Sequence, residues 1–276
     1  MTPRWLRAQG SPAASRSETN RRIPSGFIAV AQRPGQPDFE TTLSVVIPAH
    51  NEARRIGETL ERIRGFAVRA PWSIEVIVVD DGSRDETARV VRQAPAEPMT
   101  LRLLGDRVNR GKGYAVRRGV LAARGDLVLM CDADLSTPIE EVVRLHEWIA
   151  RGCAVVIGSR DLPGAVLDPP QPLVRRLMAW AFRALRRRIL LPELRDTQCG
   201  FKLFTGEAAR ELFARARTRG WLFDCEVLGL AEKLGYSIRE VPVRWSNHPD
   251  TRVRVLPALL GSPWQLLALR RRLARV

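Results

Sequence analysis

Cysteine is scarce in this sequence: only four occur in 276 residues, and no two of them form a C-x-x-C pair. Structural zinc sites and disulfide frameworks need cysteines at short, repeated spacings, so this scatter argues against both. Isolated cysteines are typical of a protein that works in a reducing compartment. The four residues are Cys131, Cys153, Cys199 and Cys225.

Long apolar runs are also missing. A membrane-spanning helix needs about 20 predominantly apolar residues. The longest apolar stretch near the C-terminus, residues 255–269, is interrupted by Pro257, Gly261 and Pro263. The N-terminal segment lacks the apolar region of a secretory signal. Because hydrophobic residues still make up 45% of the chain, we predict a folded domain without a transmembrane helix.

Acidic residues and lysine are in short supply. The 30 Asp and Glu residues face 45 Lys and Arg residues, which gives a formal net charge of +15 at pH 7. This excess suggests an acidic partner, which could be nucleic acid, an anionic membrane surface or a phosphorylated substrate. Only Lys112, Lys202 and Lys233 are lysines. Because arginine supplies nearly all the positive charge, a remaining lysine can mark a place that needs a compact ammonium group.

Short apolar runs alternate with segments of helical spacing over the first half of the chain. The apolar runs lie at residues 43–47, 74–79, 101–104, 127–131 and 154–157. The helical segments lie at about 51–64, 84–93, 112–123 and 138–150. This alternation predicts an α/β fold in which a mainly parallel sheet carries helices on both faces. Residues 1–40 are rich in Pro, Ser, Arg and Gly, and we predict a flexible N-terminal extension there.

Polar clusters follow four of the predicted strands. They are His50-Asn51-Glu52, Asp80-Asp81, Asn109 to Gly113 and Asp132 to Ser136. Ligands of such sheets bind at the carboxyl ends of the strands. Four polar clusters on one edge are more than loop solvation requires, so we predict a ligand site at this edge.

Asp132-Ala133-Asp134 is the predicted metal site. Residues i and i+2 of an extended backbone project to the same side, so both carboxylates can reach one point. Carboxylate oxygens suit a hard cation such as Mg²⁺ or Mn²⁺, which would bridge diphosphate oxygens and stabilise a departing nucleoside diphosphate. Two solvated aspartates in a turn are the alternative for an isolated D-x-D, and the neighbouring clusters favour the metal site.

Two further segments suit a nucleotide. A carboxylate of Asp80-Asp81 can accept hydrogen bonds from a base or ribose, although Ser83 or Asp85 could also simply cap the following helix. In Asn109-Arg110-Gly111-Lys112-Gly113 the glycines allow close backbone approach. A helix N-terminus together with Lys112 favours phosphate there.

Together these segments resemble glycosyltransferase family 2, the inverting enzymes of the GT-A fold. The matching pieces are V-V-I-P-A-H-N-E (45–52), V-V-D-D-G-S (78–83), N-R-G-K-G-Y-A (109–115) and D-A-D-L-S-T-P (132–138). The resemblance implies that Asp132 and Asp134 hold the metal and diphosphate, and that Asp80 binds the base. The predicted donor-binding residues are Pro48, Asn51, Glu52, Asp80, Asp81, Ser83, Asn109, Gly111, Lys112 and Asp132.

The second half of the sequence resembles polyprenyl-phosphate glycosyltransferases, in particular the dolichyl-phosphate β-glucosyltransferase branch. The matching pieces are G-S-R-D (158–161), D-T-Q-C-G-F-K (196–202), W-L-F-D-C-E (221–226) and V-P-V-R-W (241–245). The resemblance implies inverting, metal-assisted transfer of glucose from UDP-glucose to a polyprenyl or dolichyl phosphate. GDP-mannose is the alternative donor, since dolichyl-phosphate mannosyltransferases are near relatives of this branch.

The acceptor determines which catalytic residues are needed. A phosphate monoester is largely ionised near pH 7 because its second pKa is about 6, so it needs little help from a general base. The chain has no E-D dipeptide of the kind that supplies a base to hydroxyl acceptors. Our predicted catalytic residues are Asp134, Arg160, Asp196 and Lys202. Arg160, Lys202 and Arg117 are candidates for holding phosphate, and Asp196 could orient Arg160 or Lys202.

A soluble hydroxyl acceptor is the alternative, and it would need a base. Asp161, Asp196 and Asp224 are the candidates for that base. A nucleic-acid-binding protein is a remote alternative that the charge permits. We expect no nucleic-acid partner, because the sequence has no recognisable recognition helix, zinc finger or aromatic stacking array.

Two basic and apolar segments suggest attachment to an anionic membrane surface. On a helical wheel of residues 173–191 the arginines, including Arg186, share one arc, and leucines such as Leu177 lie opposite. An ordinary surface helix is the alternative. We divide the chain into the extension, a GT-A domain at 41–245 and a basic amphipathic segment at 246–276. We expect a cytoplasmic protein bound peripherally to the cytoplasmic face of the membrane.

Overall fold

The computed structural model describes residues 41–169, 173–246 and 255–276, with side chains described outside 173–176 and 255–260. The predicted extension at residues 1–40 lies outside the described residues. The strands are β1 Thr42–Ala49, β2 Ser73–Asp81, β3 Thr100–Asp106, β4 Leu127–Cys131, β5 Val155–Ser159, β6 Val166–Asp168, β7 Phe201–Thr205, β8 Ile238–Pro242 and β9 Arg244–Ser246. The helices are α1 Ile56–Ala67, α2 Thr87–Gln93, α3 Lys112–Ala122, α4 Glu141–Ala150, α5 Leu173–Ile189, α6 Gly206–Arg215, α7 Phe223–Lys233 and α8 Val255–Leu273.

The central sheet has seven strands in the order β3-β2-β1-β4-β7-β5-β8. Strands β1 to β4, all predicted from the sequence, pair in parallel. The apolar residues of β1, β2 and β4 are buried on both faces of the sheet, which is why these strands form continuous hydrophobic runs. Those of the edge strand β3 are only partly buried. The α/β architecture with helices on both faces is confirmed.

Strand β7 is the main difference from the predicted sheet. It runs antiparallel between β4 and β5 and separates these two strands. Its sequence, Phe-Lys-Leu-Phe-Thr, contains a fully buried lysine, Lys202. The apolar-run criterion misses the strand because a charged residue occupies a core position. A second, two-stranded sheet pairs β6 with β9.

The two faces of the sheet carry separate apolar cores. Val45 and Ile47 of β1 point to the core that includes residues of α1, α2 and α4. Val46 points to the opposite core, which includes residues of α3, α6, α7 and α8. This alternation follows from the two-residue period of a strand. Because helices pack on both faces, the positions of the strand ends, after which the polar clusters follow, are fixed by the two cores.

Helix α8 contributes to the second core through Leu266, Leu269 and Leu273, each at most 4% exposed. Helix α8, which lies in the predicted segment at 246–276, therefore packs into the same core as α3, α6 and α7. Trp264 on the same helix is 77% exposed.

The predicted basic face of α5 is wrong at one position. Arg186 is fully buried, and its guanidinium donates to the carbonyl oxygens of Leu191, Leu194 and Arg195 at 2.6–2.8 Å. The wheel fails because a carbonyl-lined loop after α5 provides acceptors for a buried guanidinium, which periodicity cannot anticipate.

Candidate active site

The four predicted clusters meet at one edge of the sheet because the strands preceding them are in register. Ala49 at the end of β1 pairs with Asp80 of β2, and Asp80 pairs with Gly105 of β3. On the other side, Val46 of β1 pairs with Met130 of β4, just before the Asp132 turn. The chain therefore leaves all four strands at the same level.

The loop after β1 is joined to the loop after β2 by hydrogen bonds. The backbone N–H of Asn51 donates to Ser83 Oγ at 2.9 Å, and Arg84 N–H donates to Asn51 Oδ1 at 2.7 Å. The backbone N–H of Glu52 donates to Thr87 Oγ1 at 2.8 Å. These contacts bring together the predicted nucleotide residues of the first two clusters. Pro48 is the last residue but one of β1.

Asp80 and Asp81 have different surroundings although they are adjacent. Asp80 Oδ1 accepts from the backbone N–H of Ser83 at 2.9 Å. Asp81 uses both carboxylate oxygens to accept from the backbone N–H groups of Arg110 and Gly111, each at 2.8 Å, and is 3% exposed. We predicted Asp81 as a nucleotide ligand; its oxygens instead hold the loop that contains Asn109. Asp80 remains the candidate for the base.

Lys112 lies at the start of α3, directly after Gly111. Its Nζ lies 2.5 Å from Asp132 Oδ1. Burial acts to lower the pKa of Lys112, but Asp132, Asp224 and Asp134 together raise it above its ordinary value. The ammonium is therefore charged at neutral pH. It places a positive charge beside both predicted metal ligands, where a diphosphate would need it.

The Asp132–Asp134 segment forms a tight turn, where we had expected an extended backbone. The N–H of Leu135 donates to Asp132 O at 3.1 Å, and Leu135 has a φ of 46°. The N–H of Ser136 donates to Asp134 Oδ1 at 3.0 Å. Buried and exposed side chains still alternate along this turn. Ala133 and Leu135 are buried, whereas the Asp132 and Asp134 side chains are 35% and 25% exposed.

The chemistry of this donor set fits a hard divalent cation with few protein ligands. Within residues 41–169, 173–246 and 255–276, no group of three or more His, Cys, Asp or Glu side chains could form a complete metal cage. Two carboxylates suffice for Mg²⁺ or Mn²⁺ when substrate phosphates and water complete the coordination. Asp132 and Asp134 would hold such an ion, with Lys112 beside it.

Lys202 does not face this site, contrary to its predicted role as a phosphate ligand. It is 1% exposed, and its Nζ donates to Cys199 O and Asp224 Oδ1, both at 2.5 Å. Burial raises the pKa of Asp224, and the opposing charges of Lys202 and Lys112 only partly offset that rise. An ammonium with these partners is an internal support, because exposing it to a phosphate would leave a buried carboxylate unpaired.

Arg160 and Asp196 form a bidentate ion pair beside the turn. Arg160 Nε and Nη2 donate to the two carboxylate oxygens at 2.7 and 2.9 Å. The guanidinium carbon lies 5.5 Å from the centre of the Trp245 ring. Burial would raise the pKa of Asp196, but Arg160 holds it well below the ordinary range. Asp196 thus orients Arg160, as one of the predictions stated, and is unsuited to act as a base.

The other candidates are divided between two places. Asp161 Oδ2 lies 3.3 Å from Arg183 Nε, and burial raises the pKa of Asp161. Arg117 donates through Nε to Phe213 O at 2.8 Å and lines a separate groove. Its guanidinium is thus engaged in holding the end of α6.

Sequence reasoning missed two residues that line a small cavity beside the turn. The cavity is lined by Cys131, Asp132, Leu135, Ser136, Thr137, Gly200, Phe201 and Trp245. Gly200 and Trp245 belong to motifs that we recognised, but neither has a titratable group. A prediction based on charged side chains therefore identifies neither residue.

Comparison with known sequences places this site among sugar-transferring enzymes. The profile of Glycosyl transferase family 2 matches residues 44–213. A dolichyl-phosphate beta-glucosyltransferase of Trichomonas vaginalis is 38% identical over 78% of this chain and 67% of its own length. The Homo sapiens dolichyl-phosphate beta-glucosyltransferase is 35% identical over 74% of this chain and 67% of its own length. This chain thus spans about two thirds of these relatives.

Solved structures share the fold. Glucosyl-3-phosphoglycerate synthase of Mycobacterium tuberculosis superposes with a TM-score of 0.60 and 24% identity, covering 84% of this chain and 81% of that one. Its complex with Mn²⁺, UDP-glucose and phosphoglyceric acid superposes with a TM-score of 0.61 and 21% identity, covering 87% and 85%. Related structures have thus been crystallised with Mn²⁺ and with Mg²⁺.

Proposed function

Because this chain belongs to glycosyl transferase family 2, we propose that it transfers glucose from UDP-glucose to dolichyl phosphate or another polyprenyl phosphate. Relatives that are 35% and 38% identical to it over the aligned region are dolichyl-phosphate beta-glucosyltransferases by name. The observation that carries the proposal is the meeting of Lys112, Asp132 and Asp134 at the strand ends.

On the donor side, the proposal assigns recognition of the nucleoside to the loops after β1 and β2. Asp80 is buried at the end of β2, and its Oδ1 already orders the turn at Ser83. A divalent cation held by Asp132 and Asp134 would supply charge stabilisation for the leaving diphosphate. Lys112 adds a positive charge at the same point, where negative charge would develop on the leaving diphosphate.

On the acceptor side, Arg160 is the proposed phosphate ligand. Its planar guanidinium is pre-oriented by Asp196 and lies against Trp245. Trp245 lines the same cavity as Asp132, so a phosphate at Arg160 would be near the metal pair. No base is required, because the ionised phosphate oxygen is itself the nucleophile. This agrees with Asp196 being held in its ionised form by Arg160.

A membrane surface is the proposed location. In the part of the chain that the structure describes, no helix has the length and apolar character that crossing a bilayer requires. Helices α5 and α8 pack against each other. They expose Trp180 and Trp264 to 62% and 77%, along with Leu177. Tryptophan and leucine beside arginines, here Arg187 and Arg270 to Arg272, suit the headgroup region of an anionic bilayer.

A donor and lipid assay tests the proposal. The full chain is incubated with Mg²⁺ or Mn²⁺, a polyprenyl phosphate and either labelled UDP-glucose or labelled GDP-mannose. We expect label in the organic phase with UDP-glucose and none with the Asp134→Ala variant. Label with GDP-mannose alone would overturn the donor assignment. Label confined to water-soluble products would overturn the lipid acceptor and favour a hydroxyl acceptor.

A further inference from the structure

Gly200 has an unusual neighbour for a glycine. A β-carbon built on it would overlap Oδ2 and Cγ of Asp132 and lie 2.8 Å from Oδ1. All three nearest heavy atoms thus belong to one carboxylate. The register of the sheet explains this closeness: Cys131 of β4 pairs with Phe201 of β7 in antiparallel fashion, so the next residues, Asp132 and Gly200, also lie opposite each other.

The backbone of Gly200 does not itself require glycine. Its φ lies outside the left-handed region, unlike those of Gly82 and Gly111. The residue is half-buried, so it is not enclosed by core side chains. An L residue could therefore adopt this backbone conformation. The nearest obstacle to a side chain is the Asp132 carboxylate.

The opposite side of that carboxylate is also occupied, because Lys112 Nζ lies 2.5 Å from Asp132 Oδ1. The backbone next to Gly200 is also held in place, because Lys202 donates a hydrogen bond to the carbonyl oxygen of the preceding residue, Cys199. Asp224 holds Lys202 in turn. The carboxylate is therefore close to both the Gly200 backbone and the Lys112 ammonium group.

We infer that Gly200 is a positioning residue for Asp132: its missing side chain is the space in which the metal-binding carboxylate lies. The inference rests on the proposed function in one respect, namely that Asp132 holds the cation. A methyl group at position 200 would displace the carboxylate. A shift of about 1 Å is enough to disrupt a preorganised site.

The steric part is tested without metal by a double-mutant cycle on thermal stability. We expect Gly200→Ala to lower the Tm by about 3 °C or more. The same substitution should cost almost nothing in the Asp132→Ala background, where the obstructing carboxylate is absent. Gly105→Ala is the control, because a β-carbon there would meet no atom within 4 Å. Equal losses of Tm in both backgrounds, or unfolding of both Gly200→Ala proteins, would overturn the inference.

The metal part is tested by titrating Mn²⁺ into the full chain with UDP present and following free Mn²⁺ by EPR. We expect Gly200→Ala to weaken Mn²⁺ binding at least about 10-fold, as losses of supporting groups do at metal sites. Gly105→Ala should bind as the wild type does. Unchanged affinity in Gly200→Ala would overturn the inference and leave the proposed function standing. If the wild type itself bound no Mn²⁺, the metal assignment would fail and the inference with it.

Discussion

The donor half and the acceptor half of the site use charged residues in opposite ways. On the donor half, Asp132, Asp134 and Lys112 remain 25–38% exposed at the strand ends. On the acceptor half, Lys202 pairs with Asp224, and Asp196 pairs with Arg160, in each case with the carboxylate at most 5% exposed. Partly exposed charges can contact a ligand, whereas buried pairs mainly support the surrounding structure. A charged residue in a recognised motif can therefore be either a ligand or a support.

The largest effect should come from the donor half. Asp134→Ala removes one of two carboxylates that would bind the cation, so we expect turnover to fall by about 10³-fold, or roughly 4 kcal/mol in the activation barrier. The fold should persist, because this side chain is partly exposed. Glu86→Gln, on an exposed ion pair with Arg89, is the matched control and should keep full activity. Wild-type turnover by Asp134→Ala would remove the distinction between the halves.

The buried pair of the acceptor half should show its effect in stability. Lys202→Met leaves Asp224 buried without its partner, which costs about 3–5 kcal/mol in the free energy of unfolding. Denaturant unfolding measures this loss. The double variant Lys202→Met with Asp224→Leu should recover much of it. A stable Lys202→Met protein with a raised KM for the acceptor would instead make Lys202 a phosphate ligand.

Arg160 shares features of both halves, because it is paired with Asp196 but is partly exposed and lies against Trp245, which lines the cavity. Arg160→Lys keeps the charge but loses the bidentate geometry. We expect kcat/KM for the lipid phosphate to fall about 10-fold or more, with the KM for UDP-glucose unchanged. Steady-state kinetics with each substrate varied separately provide the test. An equal rise in both KM values would contradict the assignment to the acceptor.

The pH dependence of stability separates Asp196 from an ordinary surface carboxylate. Its pKa is lower in the folded protein than in the unfolded chain, where it is about 3.9. The ionised pair thus stabilises the fold above about pH 4, and this contribution is lost as pH falls further. Asp196→Asn should therefore be less stable than the wild type at pH 7, with a difference that shrinks below about pH 4. A constant difference across that range would argue against the ion pair as its cause.

The smallest effect concerns the exposed tryptophans. Substituting Trp180 and Trp264 by Ser removes two aromatic side chains from the proposed membrane face, and we expect binding to anionic vesicles to weaken about 10-fold. Vesicle co-sedimentation measures this. Val68→Ser is the matched control, because Val68 is 68% exposed but lies after α1. Equal weakening in the control would place the membrane contact elsewhere.

Much of the fold and of the donor site could be predicted from residue pattern. The first five strands were located, because buried strands give continuous apolar runs. The clustering of Asn51, Asp80, Lys112 and Asp132 followed, because parallel strands end at one edge. Strand β7 was missed, because its second residue is a buried lysine whose partner, Asp224, comes 22 residues later.

The sequence by itself determined which chemical groups stand at the strand ends, because local periodicity and chain direction are encoded within short segments. Only the tertiary structure decided which of these groups face a ligand. Asp80 and Asp81 are adjacent residues of the same type, yet both carboxylate oxygens of Asp81 accept hydrogen bonds from the Asn109–Gly111 loop. Gly200 acquires its role only from the antiparallel register that sets it against Asp132. Such roles depend on contacts between residues that are distant in the chain, and these contacts cannot be predicted from the spacing of residues in the sequence.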